Sequence, residues 1–203
     1  MVEPYLRQSP LTHLGLTARA AAATEGAGVT LGERPHRCQI NLRGNVADPA
    51  FSGTVRQLTG LDLPTVANTV STAGDLSALW LGPDEWLIVG PDGREQDLVG
   101  TLRQALAGQH VAVTDVSEAR TVIAVAGTRA RDLLAKGTPI DLHPRVFGPG
   151  RCAQTILAAA NVILHQLDDR PTFELFVLNS FADYLWKWLE AASREYGMAV
   201  TVE

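Results

Sequence analysis

The chain has 203 residues, of which 46% are hydrophobic and 19% are charged, the balance of a folded domain rather than of a disordered one. The formal net charge is -5, so the basic surface that dominates nucleic-acid binding is not expected. No apolar run approaches the roughly 20 residues that cross a bilayer, and two cysteines are too few for a disulfide scaffold, which together favour a cytoplasmic protein.

The first 35 residues show no sustained periodicity of apolar side chains. Spaced apolar residues, among them Leu11 and Leu14, leave two interpretations open: a disordered arm, or an extended arm that becomes ordered against another subunit. The spacing favours the second interpretation slightly. We therefore expect an N-terminal arm at residues 1–35, extended or wrapped around a partner, followed by a single α+β domain at residues 36–203.

The first half of this domain, residues 36–108, opens with a strand and a helix. Apolar and polar residues alternate over residues 37–43, which predicts a half-buried strand. Asp48 and Pro49 are typical of the N-cap and the first turn of a helix. The residues expected on the buried face of this helix are Phe51, Val55 and Leu58.

A β-hairpin is predicted at Trp80–Pro91, which reads W-L-G-P-D-E-W-L-I-V-G-P. Pro83 fixes φ for a turn, and the side chain of Asp84 can bond to its own backbone, so the reversal of the chain has a local cause. Trp80 and Trp86 lie on either side of the turn.

The second half, residues 111–203, repeats the order of the first, with a second hairpin around residues 166–177. A helix is predicted after each hairpin. Asp92 and Glu95 can cap the first of these helices, whose expected buried residues are Leu98, Leu102 and Leu106. The second starts at Ser180, with expected buried residues Phe181, Leu185, Trp188, Leu189 and Ala192. Two pseudo-repeated β-α-β-β-α modules predict an α+β fold of mostly antiparallel sheets with helices packed on them.

Reactive side chains are scattered along the chain. The five histidines lack metal-ligand spacing, and no nucleophile or phosphate-loop motif occurs. The most polar segment, residues 115–120, could be an active-site loop, but an ion pair of Asp115 or Glu118 with Arg120 that fixes a tight connection is favoured. His165 is interpreted as a hydrogen-bonded sheet residue rather than as a metal ligand. No catalytic, cofactor-binding or metal-binding residue is predicted.

The aromatic residues point to an interface. Trp186 falls on the polar side of the last helix, and tryptophan is enriched among the residues that dominate protein–protein binding. For Trp186, partial burial beneath the N-terminal arm is the alternative. The interface candidates are Trp80, Trp86, Phe176, Trp186, Leu11 and Leu14.

Several segments match sequence motifs of a known protein family. Two of these motifs are fairly specific: W-L-G-P-D-E-W-L at Trp80–Leu87 and T-D-V-S-E-A-R-T at Thr114–Thr121. The others are Ser9–Leu11, Leu42–Gly44, Gly127–Gly137, Pro139–Pro144 and Asn179–Leu189. Together they resemble the gamma subunit of heterotetrameric sarcosine oxidase. More distantly, the layout is similar to the folate-binding domain of glycine-cleavage aminomethyltransferases.

This resemblance implies a complex of alpha, beta, gamma and delta subunits that oxidatively demethylates sarcosine to glycine. Such a complex forms hydrogen peroxide and passes the one-carbon unit to tetrahydrofolate. The resemblance also implies that FAD, FMN and NAD are bound by alpha and beta, folate by alpha and zinc by delta, so gamma holds none of them. We therefore expect a non-catalytic structural subunit of an oxidoreductase, held chiefly by alpha.

The alternative is a stand-alone folate-binding protein similar to an aminomethyltransferase. In the folate enzymes, the strand that resembles Asn161–Leu167 carries acidic residues that act on folate. Here Leu164, His165 and Gln166 occupy those positions. The resemblance therefore argues against independent folate chemistry, although a vestigial pocket is compatible with it.

Overall fold

A computed structural model describes residues 6–21 and 26–202 of the chain. The strands are β1 (Val29–Arg34), β2 (Cys38–Arg43), β3 (Val70–Ala73), β4 (Leu76–Gly82), β5 (Glu85–Gly90), β6 (Ala112–Asp115), β7 (Arg120–Ala126), β8 (Arg151–Leu157), β9 (Ala160–Asp168), β10 (Thr172–Leu178) and β11 (Met198–Val202). The helices are α1 (Leu16–Ala20), α2 (Pro49–Thr59), α3 (Glu95–Ala105), α4 (Ala130–Ala135) and α5 (Asn179–Ser193). Within the described ranges, no helix is long and apolar enough to cross a membrane.

Where a single domain is expected over residues 36–203, the chain forms two compact units. One unit contains the residues up to Pro35 together with Arg120–Pro149 and the residues from Thr155 onward; the other contains His36–Ala119 and Gly150–Gln154. The six-stranded sheet has the order β11-β1-β7-β10-β9-β8, and the five-stranded sheet has the order β3-β4-β5-β2-β6.

The two sheets repeat one topology. In the five-stranded sheet β4, β5, β2 and β6 are neighbours, and in the six-stranded sheet β9, β10, β7 and β11 follow the same order, with β1 inserted between the last two. The inserted strand runs antiparallel to β7 and parallel to β11. In each repeat one helix follows the first strand and a second helix follows the hairpin. The predicted α+β fold of two pseudo-repeated, mostly antiparallel modules is confirmed.

The expected boundaries are wrong at two strands. β1 lies within residues 1–35, yet it is an interior strand of a sheet and not part of an arm, because Val29 and Leu31 are fully buried on it. β6 was expected to open the second repeat, at residues 111–203. Instead it pairs with β2 and completes the five-stranded sheet.

Helix α2 shows how local signals set this part of the fold. Asp48 Oδ1 accepts a hydrogen bond from the backbone N of Ala50 at 2.9 Å, and Gly60 ends the helix with a φ of 74°. The buried face is formed by Phe51, Val55 and Thr59, whereas Leu58 is 37% exposed. The prediction that Leu58 lies on this face is wrong. The buried residues follow an i, i+4, i+8 spacing, which places residue 58 at the edge of the buried face.

Two other helix starts differ from the prediction. α3 begins at Glu95 with Arg94 in the N-cap position and without a side-chain cap, although Leu98, Leu102 and Leu106 are buried as expected. α5 begins at Asn179, also without a side-chain cap. Its buried residues are Ala182, Leu185, Trp186, Leu189 and Ser193. Phe181 is 42% exposed, so its expected inward orientation is wrong.

Candidate functional site

The six-stranded sheet contains a buried charged cluster of Arg34, His165 and Glu174. Glu174 on β10 lies directly opposite His165 on β9, and Glu174 Oε2 lies 3.3 Å from His165 Nδ1. Arg34 Nη1 donates to Glu174 Oε1 at 2.6 Å. The side chains of His165 and Glu174 are both 4% exposed. His165 is therefore a hydrogen-bonded sheet residue, as predicted.

The electrostatics of this cluster fix its role. Burial alone would raise the pKa of Glu174, but the hydrogen bond with His165 and the ion pair with Arg34 outweigh it and hold the pKa at about 2. A carboxylate that stays ionised at neutral pH and is held on both oxygens is a poor proton carrier, because a general base needs a pKa near the working pH. The cluster therefore serves to lock β1, β9 and β10 together.

The neighbouring Gln166 is held by a second polar network. Arg131 Nη2 donates to Gln166 Oε1 at 2.9 Å, and Arg131 Nη1 donates to the backbone oxygens of Leu142 and Phe147. The Arg131 guanidinium lies 5.3 Å from the ring centre of Phe173. Burial lowers the pKa of Arg131, with a smaller opposing effect of the Asp169 charge. The network fixes the connection that follows α4.

These two networks show whether the chain could bind folate, the ligand that the resemblance to aminomethyltransferases suggests. His165 and Gln166 occupy positions that the resemblance assigns to acidic residues, and both side chains bind residues of this chain. The nearby carboxylate of Glu174 is buried and engaged by Arg34 and His165. The arrangement does not fit a folate site that needs an accessible carboxylate at positions 164–166.

The polar segment at residues 115–120 forms a turn. Asp115 Oδ1 accepts hydrogen bonds from Ser117 N at 3.0 Å and from Ser117 Oγ at 2.6 Å. Ser117 Oγ in turn accepts a hydrogen bond from Gln39 N at 3.0 Å. Asp115 thus fixes the connection through Ser117, in line with the structural interpretation. The ion pair of Asp115 or Glu118 with Arg120 stays a prediction.

The N-terminal segment packs on α5 within its own unit. His13 Nε2 lies 2.8 Å from Asp183 Oδ1, and Arg19 forms an ion pair with Glu190. The Arg19 guanidinium also lies 5.9 Å from the ring centre of Trp186, which is fully buried. The alternative interpretation of Trp186, burial beneath the N-terminal segment, is the one that the structure adopts.

Four of the six interface candidates are buried in the chain itself. Leu11, Trp86, Phe176 and Trp186 are each no more than 1% exposed. Trp86 packs 6.1 Å from the ring of Phe51 and donates its indole N–H to the oxygen of Pro64 at 2.8 Å. In this conformation these four side chains cannot meet a partner, because they form the core. Trp80 and Leu14 are partly exposed, and an interface role for them stays a prediction.

The five-stranded unit also has an open cleft with a volume of about 890 Å³. Its lining residues come from the end of β2, the start of α2, the β4–β5 turn and the loop before β6: Arg43, Gly44, Asn45, Asp48, Phe51, Pro83, Asp84, Gln109, His110, Val111 and Ala112. Arg43 is held by Asp84 through hydrogen bonds of 3.1 and 3.2 Å, and Asp48 caps α2. Throughout residues 6–21 and 26–202, no three His, Cys, Asp or Glu residues are grouped so that they could hold a metal ion.

Comparison with known proteins places the chain in a family. Residues 43–195 match the model of the sarcosine oxidase, gamma subunit family. The chain belongs to this gamma subunit family. The sarcosine oxidase subunit gamma of Corynebacterium sp. (strain U-96) is 35% identical over 199 residues, which cover 96% of this chain and 93% of that protein.

Solved structures agree with the assignment to the gamma subunit family. A chain of the heterotetrameric sarcosine oxidase from Corynebacterium sp. U-96, solved in complex with pyrrole 2-carboxylate, is 33% identical and superposes with a TM-score of 0.85, covering 96% of this chain and 98% of that chain. The glycine cleavage system aminomethyltransferase T from Bartonella henselae has a TM-score of 0.64 at 16% identity, over 93% of this chain and 51% of that chain. At this identity the second likeness concerns the fold alone.

Proposed function

We propose that this chain is the non-catalytic structural gamma subunit of a heterotetrameric sarcosine oxidase. The complex would oxidatively demethylate sarcosine to glycine, with formation of hydrogen peroxide and 5,10-methylenetetrahydrofolate. The observation that carries this proposal is the similarity to a chain of a solved heterotetrameric sarcosine oxidase, at 33% identity over 96% of this chain.

The internal bonding of the polar residues supports a structural role. Arg34 and His165 both bind the buried Glu174, and Arg131 binds backbone oxygens and Gln166. Side chains that stabilise the sheet in this way are not available to a substrate. The oxidation would then depend on FAD, FMN and NAD in the alpha and beta subunits, with the folate site in alpha and zinc in delta.

The partners proposed for gamma are the alpha, beta and delta subunits in the cytoplasm, with alpha as the main contact. Co-expression of a tagged gamma chain with the other three subunits tests this. We expect the affinity-purified material to contain all four chains, to absorb as a flavoprotein and to release hydrogen peroxide from sarcosine. The gamma chain purified alone should release none. Recovery of gamma without the other subunits, or sarcosine turnover by gamma alone, would overturn the proposal.

A second candidate is a stand-alone folate-binding protein, which the aminomethyltransferase fold favours. It requires a convergent carboxylate in an accessible pocket, and the buried, paired Glu174 does not supply one. Calorimetric titration of the isolated chain with tetrahydrofolate separates the two candidates. A structural subunit should give no saturable heat, whereas saturable binding would favour the second candidate.

A further inference from the structure

The two flanks of α5 are covered differently. Asp183, Trp186 and Glu190 lie on the flank that the N-terminal segment contacts through His13 and Arg19. The opposite flank carries a row of aromatic residues at i, i+3 and i+7, namely Phe181, Tyr184 and Trp188. We call this row the aromatic flank. Among residues 6–21 and 26–202, the aromatic flank is less covered than the opposite flank, since Phe181 and Tyr184 remain exposed whereas Trp186 is fully buried.

The exposure of the aromatic flank is unusual for side chains of this size. Phe181 is 42% exposed and Tyr184 is 41% exposed, and Trp188 is partly exposed. Leu178, at the N-cap of α5, adds a further side chain that is 40% exposed. Single exposed apolar residues are common, but several large ones in one row mark interaction sites.

Two residues of the aromatic flank, Tyr184 and Trp188, are held in place by neighbouring backbone. The hydroxyl of Tyr184 accepts a hydrogen bond from the backbone N of Ala159 at 3.2 Å, which ties the ring to the β8–β9 turn. The ring of Trp188 lies against Gly137, where an added Cβ would come within 2.6 Å of Trp188 Cη2. Side chains that are already ordered lose little conformational entropy when a partner binds, so they are suited to act as anchors.

The size of the aromatic flank indicates what kind of partner it fits. A large aromatic side chain presents about 150–250 Å², so the exposed portions of Phe181 and Tyr184 together amount to roughly 170 Å². A stable interface buries about 800 Å² on each side. The flank alone is therefore too small for a stable interface and would have to be the apolar centre of a wider contact. The similarity of this chain to a chain of a heterotetrameric sarcosine oxidase favours a different subunit over a second copy as the occupant.

We propose that the aromatic flank of α5 is the anchor by which gamma docks on the alpha subunit of the sarcosine oxidase complex. This inference rests on the proposed function. The partner surface that it requires is an apolar groove able to take the Phe181 and Tyr184 rings. Because aromatic anchors at the centre of an interface carry much of its binding energy, their replacement should weaken assembly strongly.

The test uses Phe181→Glu and Tyr184→Ala in gamma chains co-expressed with the other subunits. Phe181 lies in the first turn of α5, where an acidic residue favours the helix, so Phe181→Glu should leave the melting temperature of isolated gamma unchanged. The matched control is Val146→Asp, which charges another apolar side chain of the same unit that is 55% exposed. We expect the two α5 variants to weaken recovery of the complex at least 10-fold and the control to leave it within twofold of wild type.

The outcomes separate this inference from the proposed function. If wild-type gamma assembles and Phe181→Glu assembles equally well, the docking surface is wrong and the subunit role stands. If wild-type gamma fails to assemble at all, the proposed function itself is wrong. If sedimentation shows that isolated gamma is a dimer that Phe181→Glu dissociates, the occupant is a second copy and the inference is overturned.

Discussion

Replacing Glu174 by glutamine tests whether the buried charged cluster stabilises the six-stranded sheet. The pKa of Glu174 is about 2 in the folded protein, well below the 4.5 of an unperturbed glutamate. A difference of about 2.5 pKa units corresponds to roughly 3 kcal/mol, since each unit is worth about 1.4 kcal/mol. We therefore expect Glu174→Gln to lower the free energy of unfolding at pH 7 by about 3 kcal/mol.

The stability difference between wild type and Glu174→Gln should depend on pH. The pKa of Glu174 is lowered on folding, so its contribution is fully present above about pH 4.5 and is lost as the pH falls toward 2. At pH 3 the ionised carboxylate should contribute only about 1–2 kcal/mol. Urea unfolding of wild type and variant at pH 7, 4 and 3 should therefore give a difference that narrows with acid.

The control for this experiment is Asp62→Asn. Asp62 pairs with Arg56 at 3.3 Å, but both side chains are about 70% exposed, so the change should cost less than about 1 kcal/mol at any of these pH values. If Glu174→Gln unfolds at the same urea concentration as wild type at pH 7, or if the difference does not shrink on acidification, the argument from ion pairing is wrong.

Three further predictions concern the core of the five-stranded unit and the thiols. Trp86→Ala should lower the free energy of unfolding by about 3–5 kcal/mol, because it removes a fully buried ring and the hydrogen bond to Pro64. A loss under about 1 kcal/mol in urea unfolding would contradict this packing of Trp86. Gly44→Ala should cost about 1–3 kcal/mol, since its Cβ would come within 2.5 Å of the Phe51 ring, and an unchanged melting temperature would disprove that clash. Burial raises the pKa of Cys38 to about 12 and that of Cys152 to about 11, so neither thiol should react with a disulfide reagent at pH 8 until the protein is unfolded. Rapid labelling of the native chain would refute this.

The parts of the fold that the sequence predicts well are those with local causes. The β4–β5 hairpin forms around Pro83 and Asp84, and α2 starts and stops at Asp48 and Gly60, because turn and cap residues act on the backbone beside them. The sequence does not predict strand β1, because its partners are distant along the chain. Its pairing with β11 is parallel and joins Val29 to Met198, and no local pattern encodes such a contact.

The orientation of α5 shows a different limit of sequence reasoning. Its large apolar residues surround much of the helix, so periodicity alone does not decide between burying Phe181 and burying Trp186. That choice is made by the N-terminal segment, whose Arg19 lies over the indole ring of Trp186. For the same reason the sequence predicts Trp186 as an interface residue although it belongs to the core, and it does not predict the exposure of Phe181 and Tyr184.

The insertion of β1 between β7 and β11 has a consequence for biosynthesis. β1 emerges first from the ribosome, but its two neighbours follow roughly 90 and 170 residues later, and the last of them lies at the end of the described chain. The five-stranded unit needs nothing beyond residue 154, so it can fold while translation continues. Until β11 has been synthesised, the segment that carries β1 lacks its full set of hydrogen-bond partners, so nascent gamma chains are candidates for chaperone binding.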